Sequence, residues 1–161
     1  MSCSIELWLR FLAYSIKTLW VRRSPLAVLD EEVLARQLYS GHVRKNGRLN
    51  PSAFIASARN GFGLSVDRWC KAPERLFLAN ALLAARRRQG GQKFKGFARF
   101  DAASLKSIEL GDSLHPRAIG APTLRNPFHA DIPLPPDKEE DYYLLIATEF
   151  INKANPQAVL Y

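Results

Sequence analysis

The sequence predicts one helix-rich α+β domain with a small, mostly antiparallel sheet. Three observations predict it. A chain of 161 residues with 47% hydrophobic content is long enough to bury one core, and two cores would each be marginal. Two long segments, 73–89 and 139–152, repeat apolar residues at helical spacing. Only Lys93–Phe100 alternates with the period of a strand over a full eight-residue run. Too few strands carry a crossover helix for a doubly wound sheet.

The first element is an amphipathic helix within residues 1–23, expected to pack on a domain spanning 24–161. Ile5, Trp8, Leu9, Leu12, Ile16, Leu19 and Trp20 recur at steps of three and four. Arg10 and Lys17 interrupt the apolar run, which argues against a spanning helix. Glu6 before it and Arg22-Arg23 after it argue against a signal peptide. The same face, Ile5–Trp20, also suits a protein partner or peripheral contact with a membrane surface. Ser24-Pro25 ends the element.

A second helix is expected over 30–40. Asp30 is placed to cap it, Glu31 and Glu32 suit its first turn, and Val33, Leu34, Gln37 and Leu38 continue it to Gly41. Asn46-Gly47 and Asn50-Pro51 then signal turns, with Pro51 opening a short helix. Gly63–Val66 is expected as a brief strand ending at Asp67.

Pro73-Glu74 opens the long helix whose apolar side carries Leu76, Phe77, Leu83 and Ala84. Arg86, Arg87 and Arg88 fall at its carboxyl end, where the dipole favours cations, and Gly90-Gly91 stop it. In the strand that follows, Phe94, Gly96, Ala98 and Phe100 are expected on one face, with Lys93, Lys95, Phe97 and Arg99 on the other. Asp101 can cap a short helix. The stretch 111–136 is dense in proline and is expected as loop, with one edge strand near His129–Leu134. Tyr143, Ile146, Ala147 and Phe150 mark the buried stripe of the last helix.

Charge carries the clearest functional signal. There are 23 basic and 15 acidic residues, for a net charge of +8. No acidic residue interrupts the run between Glu74 and Asp101. Arg86, Arg87, Arg88, Lys93, Lys95 and Arg99 form an expected anion-binding surface, and Phe97 among the cations is a candidate for stacking a base. The leading expectation is a protein that binds nucleic acid, nucleotide or another phosphate-bearing ligand. No helix-turn-helix or RNA-reading aromatic motif accompanies the charge.

A second group is chemically suggestive. His42, Arg44, Ser52, Ser65, Asp67 and His129 surround short glycine and proline turns. Histidine moves protons near neutrality, arginine clamps phosphate, and Ser52 near a helix start suits an anion. Together they describe a candidate pocket for a small nucleotide-directed enzyme, such as a toxin or defence component. The third functional expectation is an interaction module docking through its first helix.

No H-x-x-x-H pair, P-loop, G-x-G-x-x-G or G-x-S-x-G is present, so no metal and no cofactor is expected. Cys3 and Cys70 make no disulfide framework, which points to a reducing, cytoplasmic setting, and Cys70 is expected as a buried thiol. The segments Gly47–Phe54 (GRLNPSAF), Gly63–Val66 (GLSV) and Asn126–Ile132 (NPFHADI) resemble those of an uncharacterised set of small bacterial proteins. The likeness covers about residues 38–133. It implies no activity, but it groups His42, Ser65 and His129.

Overall fold

A computed structural model describes residues 2–56, 61–87, 92–111 and 113–161. In chain order the elements are helix α1 (Cys3–Trp20), strands β1 (Val33–Tyr39) and β2 (Gly63–Arg68), helix α2 (Glu74–Arg87), strands β3 (Phe94–Asp101), β4 (Ile119–Gly120) and β5 (His129–Pro133), helix α3 (Glu140–Lys153) and strand β6 (Gln157–Leu160). Among the described residues helix, at about 39%, outweighs strand at about 24%, so the helix-rich α+β expectation holds. The strands form one antiparallel sheet in the order β4-β5-β2-β1-β3-β6.

The sheet is covered on both sides. On one face Leu34, Leu38, Leu64, Val66, Phe100 and Ile132 meet α3 through Tyr143, Ile146, Ala147 and Phe150. Phe54 stacks on Phe150 there at 5.4 Å between centroids. On the other face Ala35 and Phe97 meet α1 through Leu7 and Phe11, and α2 through Leu76 and Phe77, with Trp69 and Phe128 filling between. The architecture is therefore helix, sheet, helix, with β1 near the middle.

That central strand replaces the helix expected over 30–40. Leu34 and Leu38 lie four residues apart, and four is a repeat of both the helical and the strand pattern. The strand buries Leu34, Ala35, Leu38 and Tyr39 from both faces, so it shows no clean alternation. Glu32 is accordingly not an exposed first-turn carboxylate. It is buried, and Arg68 at the end of β2 meets it with two bonds: Nη2 to Oε1 at 2.7 Å and Nε to Oε2 at 2.8 Å. The same guanidinium donates to Pro25 O, Ala27 O and the Tyr14 hydroxyl, tying the 25–32 segment and α1 to the sheet. Asp30 pairs instead with Lys106 at the surface.

β3 also departs from the expected alternation. The register shifts between Leu38 and Tyr39, which pair with Gly96 and Phe94, so Lys95 is an extra bulged residue. Gly96 has φ +144°, and a Cβ there would lie 2.0 Å from Val159 O of β6. Only glycine lets β6 approach so closely. The bulge puts Phe94 and Phe97 on the same face, 5.2 Å apart, instead of on opposite ones. Lys93, Lys95 and Arg99 therefore do not form one regular row.

Candidate functional site

β1 and β2 pair only at Leu34–Arg68 and Ala35–Asp67. From there β1 continues against β3 to Tyr39, and β2 continues against β5 back to Gly63. The two halves of the sheet splay, and backbone groups that would have formed a ladder need other partners. Arg36 supplies one for Ser65 and also reaches the Pro51–Phe54 turn. Its Nη1 donates to Ser65 O at 2.7 Å and its Nε to Ala53 O at 3.0 Å. A cation thus bridges the gap between the halves.

The splay leaves a cavity of about 130 Å³ lined by Arg36, Gln37, Tyr39, Ser65, Asp67 and His129. Alternation along the strands explains the polar lining. Leu64, Val66, Ala130 and Ile132 point into the α3 core, so Ser65, Asp67, His129 and Asp131 point the other way. Register sets Ser65 opposite Asp131 and Asp67 opposite His129.

Asp67 is the centre of this site and only 2% exposed. Gln37 Nε2 donates to its Oδ2 at 3.1 Å, and Asn126 Nδ2 donates to its Oδ1. Both amides are oriented by further bonds. Tyr39 Oη donates to Gln37 Oε1 at 2.7 Å, and the Phe128 N–H donates to Asn126 Oδ1 at 3.1 Å. Each amide therefore turns its NH₂ toward the carboxylate. Burial pushes the Asp67 carboxyl above its ordinary range, against the opposing pull of the Gln37 bond, the nearby His129 and Arg36, and the Asn126 bond. A cavity-facing carboxyl held closer to neutrality is a group able to exchange a proton.

His129 and Ser65 share a second carboxylate. His129 Nε2 lies 3.2 Å from Asp131 Oδ1, and Ser65 Oγ donates to the same oxygen at 3.3 Å. A serine nucleophile needs its hydroxyl on the histidine. Here it rests on the aspartate, so the trio orients the cavity wall rather than forming a serine triad.

Of the six residues expected to form a pocket, Ser65, Asp67 and His129 converge. His42 does not line the cavity but touches one of its lining residues: its Nδ1 accepts from the Tyr39 N–H at 3.3 Å and its ring meets the Tyr39 ring edge-on. Arg44 lies in the 41–50 turn and lines a different groove with Arg48, Thr148 and Asn152. Ser52 does not face an anion. Its Oγ donates to Gly41 O, while Asn50 caps the four-residue Pro51–Phe54 turn of helix. Arg36, Gln37, Tyr39, Asn126 and Asp131 are the partners that sequence reasoning missed, and with β1 taken as a helix they had no common face.

The expected base-stacking residue is overturned. Phe97 is 0% exposed, packed 4.6 Å from the Trp69 ring beneath α2. Its burial follows from the bulge at Gly96 and the apolar cover of the sheet. Arg99 lies over Trp69 at 5.7 Å. Lys93, Lys95, Arg86 and Arg87 are exposed, whereas Arg88 and the Gly90-Gly91 stop lie outside the described residues. Cys70 is exposed, not buried, because Trp69 takes the inward position of its short turn. His115 bonds Ile108 O away from the cleft. Among the described residues no group of three or more histidine, cysteine or acidic side chains gathers to hold a metal. Set against known protein families, curated proteins and solved structures, the chain matches none.

Proposed function

We propose that the protein binds a small phosphate-bearing ligand of the nucleotide class in the cleft between β1 and β2. The observation that carries this reading is the convergence of Ser65, Asp67 and His129, from separate stretches of sequence, with Arg36, Gln37 and Tyr39 on one cavity. Two features narrow the ligand. Each Asp67 oxygen accepts one amide N–H and retains acceptor capacity, which suits ligand hydroxyl or N–H donors. The net charge of +8 favours an anionic ligand over a cationic one. A nucleotide carries both sugar hydroxyls and phosphate. The cavity of about 130 Å³ holds a volume equal to about four waters, which is room for one hydroxylated ring. Phosphate and base would then lie outside it, toward solvent.

Chemistry at the site follows from the facing pair Asp67 and His129. A carboxyl raised toward neutrality beside an imidazole supplies an acid–base set for a bond in the seated ring, a contribution of about 10²–10⁴-fold in such systems. Among the described residues the nucleic-acid reading keeps the exposed charges of Lys93, Lys95, Arg86 and Arg87. Calorimetric titration with AMP, ribose 5-phosphate, adenosine and a short single-stranded DNA separates the two. The cleft reading expects AMP and ribose 5-phosphate to bind, and Asp67→Asn and His129→Ala to weaken both by more than about tenfold. Binding of DNA alone, abolished by Lys93→Glu with Lys95→Glu and untouched by Asp67→Asn, would overturn it.

A further inference from the structure

Among the described residues lining the cleft between β1 and β2, Asp67 is the one acidic side chain. Gln37 Nε2 donates to its Oδ2 at 3.1 Å, and Asn126 Nδ2 donates to its Oδ1. An ionised carboxylate offers about four acceptor sites, so each oxygen keeps about one for a further donor. The two amides are themselves held, Gln37 by the Tyr39 hydroxyl and Asn126 by the Phe128 N–H. The carboxylate is therefore fixed in orientation. It accepts best from two donors that stand side by side at the spacing of its own oxygens.

Three kinds of ligand group carry such a pair. A guanidinium does, but His129 and Arg36 already lie close to Asp67, and like charge opposes a further cation there. A nucleobase does, but bases are commonly held by stacking on exposed ring faces. The Tyr39 ring in the lining is 1% exposed and supplies no such platform. Two hydroxyls on the same face of a small ring remain, and a cavity of about 130 Å³ admits them.

We infer that the part of the ligand seated in the cleft is the free 2′,3′-cis-diol of a ribonucleotide, with one hydroxyl donating to each oxygen of Asp67. This rests on the cleft reading above and adds which end of the nucleotide enters. It also sets a limit on the ligand. Inside a nucleic-acid strand the 3′ oxygen is esterified and has no proton to donate. The cleft therefore takes free nucleotides and no internal position of a strand. A ligand that lacks either hydroxyl leaves a buried acceptor without its donor.

Calorimetric titration of the wild-type chain with AMP and three analogues tests this. 2′-Deoxy-AMP lacks one hydroxyl. 3′-AMP keeps the base and the phosphate but has its 3′ hydroxyl blocked. Arabinosyl-AMP has both hydroxyls, on opposite faces of the ring. Each analogue should bind at least about tenfold more weakly than AMP, because each leaves one charged acceptor unpaired. Asp67→Asn keeps a single acceptor oxygen. It should lower the affinity for AMP to about that for 2′-deoxy-AMP and bring the ratio of the two near one. Equal weakening of both ligands, with the ratio kept, would give Asp67 a structural role and overturn the inference. So would wild-type protein that binds AMP and all three analogues alike, although the cleft reading would then stand with base or phosphate seated instead. Failure of AMP to bind at all would end both.

Discussion

Asp67 and Arg68 are neighbours on β2, yet they sit in opposite kinds of polar environment. Arg68 is 1% exposed and meets an opposite charge, two backbone carbonyls and a hydroxyl. Its carboxylate partner Glu32 would be raised by burial alone. The bonds and charge of Arg68, the Leu29 N–H and Lys71 outweigh burial and hold it below the ordinary carboxylate range. Asp67 is also buried, and the side-chain bonds it accepts come from amides, with His129 and Arg36 close by. Burial wins there, so its pKa is raised. One carboxylate is closed off by its partners, and the other stands at a cavity wall with part of its acceptor capacity unused. The first arrangement stabilises a fold. The second costs stability and is the kind that binding sites retain.

The largest effect should come from breaking the closed pair. Arg68→Ala leaves Glu32 buried without its main partner and releases the 25–32 segment from the sheet. Removing one member of such a pair typically costs about 3–5 kcal/mol. For a domain this size that is a fall in Tm of roughly 10 °C, read by thermal melting. Glu32→Gln should fall in the same direction. A melting point unchanged by Arg68→Ala would show that the pair does not hold the segment. Asp67→Asn should fall less, because its single oxygen keeps one of the two amide bonds and the lost one is a neutral-donor bond, while the buried charge is removed.

This contrast explains what the sequence made legible. α2, α3, β3 and the strand at His129 are announced by long periodicity or by flanking turns, although that strand, expected at an edge, lies inside the sheet between β4 and β2. β1 is not, because Leu34 and Leu38 fit both periods and a strand buried on both faces hides its alternation. The bulge at Gly96 is also silent, since its cause is the approach of Val159 from far along the chain. In the site, Ser65, Asp67 and His129 were visible by residue chemistry alone. Gln37 and Tyr39 were hidden by the wrong element, and Asn126 by its disguise as a turn residue before Pro127. Arg44 and Ser52 had the right chemistry, but local turn bonds direct them elsewhere.

The pH dependence should separate the two carboxylates next. A raised folded-state pKa means the native protein takes up a proton before the unfolded chain does. Stability contributed through Asp67 is therefore present below the ordinary carboxylate range and lost as pH rises through its raised value. Glu32 has the opposite sign. Its contribution is full above the ordinary range and lost as pH falls through its depressed value. Wild-type protein should thus gain stability on mild acidification and lose it on stronger acidification. Urea unfolding across a pH series checks this. Asp67→Asn should remove the gain and keep the loss, and an identical profile in that variant would contradict the assignment.

The smallest effect sharpens the comparison most. Tyr39→Phe keeps the ring, which packs edge-on against His42 and Phe94, and deletes only the hydroxyl. That hydroxyl is what orients Gln37. Losing one buried hydrogen bond should cost about 0.5–1.5 kcal/mol, a melting shift of a few degrees. Without it the Gln37 amide is free to turn its oxygen toward Asp67, and two acceptors then face each other across the cavity. The proton that relieves them binds Asp67, so its pKa should rise further. Ligand binding in the cleft should weaken more at neutral pH than stability alone accounts for, and should recover on acidification. Titration of Tyr39→Phe with ribose 5-phosphate at two pH values measures this. A loss of affinity equal at both would mean that Tyr39 acts by packing, with no role in setting the direction of the chain of bonds that ends on Asp67.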